Sequence, residues 1–267
     1  MQDYIDTHSH ILPGLDDGSP DMSVSVRMAR IAADDGIGTM LATPHVVEGI
    51  YEGGDMDARI AALKEAIRQE GVSLKLLGGA EVPMSLALLG DARRLKPLVM
   101  AGSRYLLVET AGATWEQLSQ TVFQVRLAGL YPVLAHPERV DFVTGNPGRM
   151  RELMAGGDVF CQATVSSMEG LFGKGPRKGW LRLAQAGMIH LVATDAHSAR
   201  RRVPRLRAAH DLLAARLGRA AAETIMLENP NRLLAGEPLV GTGHGSRKPR
   251  IPGLPRLFRR SGQEDRR

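Results

Sequence analysis

Residues 4–19, YIDTHSHILPGLDDGS, decide how the rest of the chain is read. Residues 4–7 form a short run with the residue types of a strand. It ends in His8 and His10, spaced i, i+2. On extended backbone that spacing puts both imidazoles on one side, so two rings can reach one ion. A polar loop follows with Asp16-Asp17-Gly18. Asp195 and His197 repeat the i, i+2 spacing near the other end of the chain.

Working outward, apolar runs at 39–43, 74–78, 105–109, 132–135, 159–163 and 190–194 read as further strands. Helical segments lie between them. The first is opened by Ser19 as N-cap with Pro20 at the first helical position, and is closed by Gly36. Others fall at 56–70, 114–128, 147–155, 179–186, 205–217 and 220–227. The order βαβα, repeated about seven times, means parallel strands with crossover helices, an α/β fold. Both a closed barrel and an open doubly wound sheet satisfy that order.

The placement of the chemistry separates them. The first strand ends in His8 and His10, the second in His45, the third in Glu81 and the fourth in Glu109. The fifth ends in His136, and the last in Asp195 and His197. In a barrel all C-terminal strand ends face one mouth, so these side chains converge. An open sheet would spread them across its width. A TIM-like barrel is therefore expected. His190, His210 and His244 sit inside a strand, on a helix and in the C-terminal tail, and read as structural or solvated.

Imidazoles and carboxylates without a thiolate suit Mn, Fe or Zn and disfavour a cysteine-built structural zinc site. Nine candidates (these eight with Asp17) exceed what one ion takes, so two or three ions are implied. Such sites serve hydrolytic displacement. Arg139 follows His136 by three residues, and Arg200-Arg201-Arg202 follow His197. Guanidinium groups fork onto phosphate oxygens. Cys161 is the only cysteine; QATVSS after it lacks the arginine of a thiol phosphatase loop, so it reads as a small core residue.

The net charge of +5 belongs to the tail. Residues 241–267 carry eight basic and two acidic side chains, leaving 26 basic and 27 acidic in 1–240. A neutral body gives no reason to expect a nucleic-acid surface. The Gly-, Pro- and Arg-rich tail reads as disordered; Leu254, Leu257 and Phe258 among its arginines admit docking on an acidic partner or an anionic membrane. No run reaches the roughly 18 apolar residues of a membrane span, and the N-terminus has no signal-peptide pattern, so a cytoplasmic location is expected.

Taken in order, HSHILPGLDDGS, ATPH, GGAEV, LVET, AHPER and ATDAH resemble the polymerase-and-histidinol-phosphatase superfamily. Within it they resemble the capsule- and exopolysaccharide-operon tyrosine phosphatases of the CpsB type, from about residue 4 to 234. The resemblance implies a distorted (β/α)7 barrel over 1–240, with 241–267 outside the pattern. It implies three divalent ions, commonly manganese. His8, His10, Glu81 and Asp195 would hold the first; Glu81 would bridge to a second, held also by Glu109 and His136. Asp17, His45 and His197 would hold the third. Arg139, with Arg202 or Arg201, would bind phosphate; SARRRVP departs here from the family's loop. The implied activity is phosphotyrosine hydrolysis by metal-activated hydroxide with no covalent intermediate, and the implied partner a bacterial tyrosine kinase of polysaccharide export. A phosphatase of small phosphomonoesters such as histidinol phosphate, and a non-catalytic kinase-docking scaffold, are the competing readings.

Overall fold

The computed structural model describes residues 3–46, 54–84 and 92–242. Among them are eight strands: β1 (Tyr4–Ser9), β2 (Ile37–Ala42), β3 (Lys75–Gly78), β4 (Glu81–Val82), β5 (Tyr105–Glu109), β6 (Tyr131–Ala135), β7 (Phe160–Thr164) and β8 (Leu191–Ala193). Every pairing is parallel, as the crossover helices require. Strands β1, β6 and β7 are buried along their whole length, as expected where both faces of a sheet are covered.

The ladders form two sheets, β1-β2-β3 and β4-β5-β6-β7-β8, rather than one closed ring. Isolated bridges join them, Ser9 with Ala196 and His45 with Glu81. Asp195 N–H donates to the His8 carbonyl (3.0 Å), and Glu81 N–H to the Pro44 carbonyl (3.0 Å). The two sheets are thus stitched at the ends of strands that carry the predicted ligands. Glu81 does not end the third strand, as expected, but opens a separate one. The chain breaks at Gly79, where a Cβ would lie 3.1 Å from the Met100 Cα and 3.3 Å from the Thr43 methyl. A side chain there would have to push these neighbours back by a few tenths of an ångström.

Side-chain alternation fills the space below the stitched ends. Tyr105 and Leu107 of β5, Tyr131, Val133 and Ala135 of β6, and Leu191 of β8 share one cluster with Ile5 and Leu41. The alternation that buries Tyr105 and Leu107 there carries Glu109 one step higher on the same side. A larger cluster packs the helices on the outer faces, including Met28, Leu63, Val122, Trp180 and Leu213.

The first helix runs Met22–Asp35, and its N-cap is Asp21, not Ser19. Asp21 Oδ1 accepts from the Val24 N–H (2.9 Å), which satisfies one of the donors left free at the helix start. Ser19 instead accepts a hydrogen bond from the Ser25 hydroxyl (2.8 Å). Gly36 closes the helix at φ 94°, as its sequence position implies. Other helices run Gly54–Gln69, Trp115–Leu127, Pro147–Met154, Lys174–Gln185 and Arg207–Leu217. The expected helix 220–227 divides into an α-turn, Arg219–Glu223, and a π-turn, Thr224–Glu228. No described helix is long and apolar enough to cross a membrane. Residues 243–267 of the basic tail, with His244, lie outside the described residues.

Candidate metal centre

The nine predicted ligands meet at the stitched strand ends. His8 Nε2 and His10 Nε2 lie 3.1 Å apart. Each faces Glu81 Oε2 (3.3 and 3.4 Å) and Asp195 Oδ1 (3.5 and 3.4 Å). These four side chains are essentially sealed from solvent. On one side, His136 Nε2 lies 2.9 Å from Glu81 Oε1 and 3.4 Å from Glu109 Oε1. On the other, Asp17 Oδ1 lies 3.6 Å from His45 Nε2 and 3.5 Å from His197 Nε2. His45 Nδ1 also sits 3.2 Å from Glu81 Oε2 and 3.9 Å from Glu109 Oε2. Among the described residues, three overlapping groups have the spacing to hold a cation: His8, His10 and Glu81; His45, Glu81 and Glu109; and His10, Asp17, His45 and His197.

The outer hydrogen bonds aim the rings. His8 Nδ1–H donates to Gln162 Oε1 (2.8 Å), whose amide donates to the Thr7 hydroxyl (2.9 Å). His10 Nδ1–H donates to Asp16 Oδ2 (2.7 Å). His197 Nδ1–H donates to the Asp195 carbonyl (3.0 Å). Each bond places the proton on Nδ1 and leaves the Nε2 lone pair pointing into the centre. Asp16 is itself held by the N–H groups of Gly18 (2.9 Å) and His45 (3.0 Å).

Without a cation, the cluster is electrostatically coupled. Burial would raise the Glu81 and Asp195 carboxyls, but the facing imidazoles, His8 first, hold both well below the usual range. Burial likewise opposes charge on His10, yet Asp16, Asp195 and Glu81 together hold its proton on. Burial and then the positive His10 push His197 down to about 4. Glu81 Oε2 is buried and has no hydrogen-bond donor, although three imidazoles surround it. A buried carboxylate oxygen in that position fits a divalent cation.

Backbone strain marks the same residues. His136 (φ 36°), Asp195 (φ 52°) and Arg202 (φ 51°) adopt left-handed conformations, each costing about 1–3 kcal/mol. Asp195 faces two ways. Its Oδ1 meets the imidazoles, while Oδ2 accepts from Arg139 Nη2 (2.6 Å) and pairs with Arg202 Nη2 (2.5 Å). Both guanidiniums lie over the Phe172 ring, at 4.0 and 5.4 Å from its centroid. Of the two arginines the sequence left open, Arg202 is the one on Asp195.

The sequence model described as capsular polysaccharide synthesis, CpsB/CapC, matches residues 4–235. The chain belongs to this family. It is 36% identical over 201 residues to the tyrosine-protein phosphatase YwqE of Bacillus subtilis (strain 168), covering 74% of this chain and 79% of that one. It is 27% identical over 240 residues to the tyrosine-protein phosphatase CpsB of Streptococcus pneumoniae, covering 86% and 98%. A crystal structure from the pair YwqE of B. subtilis and CpsB of S. pneumoniae, described as unique metal-dependent tyrosine phosphatases, superposes with a TM-score of 0.79. It is 30% identical and covers 94% of this chain and 100% of that one.

In this CpsB/CapC chain, several contributors escaped the sequence reading. Gln162 is a long amide in the middle of a buried strand, a signal that could have been used. Thr164 Oγ1 contacts Arg139 Nη2 (3.2 Å) and donates to Glu138 Oε1 (3.0 Å). Phe172 lies in the turn after the short helix Val165–Glu169 and carries no local signature. Cys161 is buried, lies 3.9 Å from Met154 Sδ, and has its thiol pushed up by burial and by Glu138. His190 and His210 are structural: His190 Nδ1 accepts from the Cys161 N–H (3.2 Å), and His210 Nδ1 contacts the Tyr4 hydroxyl (3.1 Å).

Proposed function

We propose that this chain is a metal-dependent protein-tyrosine phosphatase whose nine ligands hold three divalent ions, manganese by preference. The observation that carries the reading is the Glu81 carboxylate, buried, facing His8, His10, His45 and His136 at once, and lacking a donor at Oε2. In this reading His8, His10 and Asp195 would hold one ion and Glu109 and His136 a second, with Glu81 placed to serve both. Asp17, His45 and His197 complete the third position. The eight strands act as a distorted barrel, stitched at its mouth, over residues 1–240. Residues 241–267, which carry the basic excess of the sequence, fall outside that unit.

Divalent ions, when bound, lower the pKa of water and neutralise phosphoryl oxygens. The protein's own groups supply the rest. Gln162, Asp16 and the Asp195 carbonyl keep the imidazole lone pairs inward. Arg139 and Arg202, held by Asp195 and Phe172, offer N–H donors at the mouth for phosphate oxygens. The buried, protonated Cys161 gives no thiolate for a covalent route. Phosphotyrosine on a tyrosine kinase of polysaccharide export, in the cytoplasm, is the proposed substrate.

The test uses metal-depleted protein and phosphotyrosine peptide. Manganese should restore phosphate release, and elemental analysis should find more than one ion per chain. No metal-dependent release would overturn the proposal. Faster turnover of histidinol phosphate than of the peptide would reassign the substrate while keeping the chemistry.

A further inference from the structure

The arginine triplet after His197 is split by the backbone. Ser198 Oγ accepts from the N–H groups of Arg200 (3.3 Å) and Arg201 (3.0 Å) and donates to the Arg201 carbonyl. The chain then turns through the left-handed Arg202, whose carbonyl accepts from the His197 N–H (3.0 Å). This tight loop folds Arg202 inward onto Asp195 and leaves Arg200 and Arg201 exposed.

Arg200 and Arg201 line a cleft of about 810 Å³ between this loop and the outer face of the helix Met22–Asp35. Arg27 and Arg30 line the facing wall, and Val24, Ile31 and Ala199 add apolar surface. Arg30 is paired with Glu70 (3.0 Å). Arg27 donates to the Ser23 hydroxyl (3.0 Å) and its charge also reaches Asp21, while Arg200 and Arg201 have no ion pair among the described residues. Asp34 is the one carboxylate in the lining. The cleft is therefore positive, partly apolar and recessed, and its lip is the same loop that carries His197 and Arg202.

We infer that this cleft binds the acidic segment flanking the phosphotyrosine, so that the enzyme selects phosphotyrosine peptides rich in Asp and Glu beside the modified residue. The inference rests on the phosphatase reading and names the substrate class of that site. Charge chooses the occupant. The C-terminal tail, with eight basic and two acidic residues, would be repelled. A flat anionic bilayer cannot enter a recess, whereas an extended acidic peptide can. Exposed arginine–carboxylate pairs act mainly on encounter and discrimination, and salt screens them.

The experiment compares two phosphotyrosine peptides, with three Glu or three Gln on each side, using the full manganese-loaded chain. The acidic peptide should show a KM roughly 5–30-fold lower, the range of a few weakly coupled charge pairs. Arg200→Gln/Arg201→Gln should bring that ratio near one, and Arg200→Lys/Arg201→Lys should largely restore it. Fluorescence anisotropy with non-hydrolysable phosphonate versions of both peptides should show the same ratio in Kd, and 0.5 M salt should erase it. Equal values for the two peptides in wild type, with manganese-dependent turnover intact, would overturn the cleft and leave the phosphatase standing. Absence of turnover on both peptides and on p-nitrophenyl phosphate would instead overturn the phosphatase. Binding of phosphatidylserine vesicles that Arg200→Gln/Arg201→Gln abolishes, without peptide discrimination, would assign the arginines to a membrane.

Discussion

The floor and the rim of the centre are built differently. On the floor, His8, His10, Glu81 and Asp195 are sealed, and their outer partners Gln162 and Asp16 are buried or nearly so. On the rim, Asp17 is 66% exposed and His45 33% exposed. The floor is over-determined, since each imidazole has its tautomer fixed and each strand end is tied to a neighbour. The rim hangs from the polar loop after β1 and the segment after β2. Interactions in the dry floor are poorly screened and strong, while those at the rim compete with water. We therefore expect the floor to set metal retention and the rim to set entry and exchange.

The sharpest way to break that contrast is Glu81→Gln. It keeps the shape and removes the shared charge, so kcat should fall by more than about 100-fold, beyond what outer contacts give. Elemental analysis should show more than one ion lost; full retention would mean Glu81 does not bridge. Asp16→Asn comes next. It weakens the acceptor of the His10 proton, and a chelator competition should show metal affinity lower by about 10–100-fold. No change would mean the His10 ring is held by packing alone.

Rim variants should be milder. Asp17→Asn should leave the floor ions in place and raise the manganese needed for half-maximal activity by about tenfold. If it instead empties the whole centre, floor and rim are one unit. Phe172→Ala removes the ring beneath both guanidiniums. At about 0.5–1 kcal/mol for each exposed cation–π contact, KM should rise by roughly 5–30-fold with kcat less affected. A fall in kcat alone would show that Phe172 does not orient the arginines for binding.

The smallest effect on activity is expected below the floor, at the far end of β8. Burial lowers His190 from 6.5 to about 4. Between these values the unfolded chain binds a proton that the folded chain does not, so stability falls as pH drops from 6.5 toward 4. The loss from this residue reaches about 3 kcal/mol. His190→Asn keeps an acceptor for the Cys161 N–H and should flatten this part of the pH dependence of the urea midpoint. An unchanged pH slope would place the acid sensitivity in the metal floor.

Much of this was legible in the sequence because strands report locally. A short apolar run with a polar end shows both the element and its functional tip. The nine predicted ligands do converge, from segments as far apart as His8 and His197. What stayed hidden depends on neighbours. Gln162 looks like an interruption in a buried strand until His8 lies against it. Phe172 is an ordinary loop aromatic until two guanidiniums stack on it. Ser19 has the residue type of an N-cap, yet Asp21 takes the role while Ser19 bonds Ser25.

The sequence by itself determined the parallel α/β order and which imidazoles and carboxylates meet at the strand ends. Composition also located the net charge in the tail. Tertiary structure decided the division into two sheets stitched at the mouth, because strand pairing depends on neighbours distant in sequence: β3 ends at Gly78, and Glu81 opens a strand that pairs with β5. It also decided how neighbouring side chains divide their work. Asp16 orients His10 while Asp17 reaches the centre. Arg202 turns inward while Arg200 and Arg201 turn out. Adjacent residues of one type are equivalent as text, and only the backbone torsions and the partner across the mouth tell them apart.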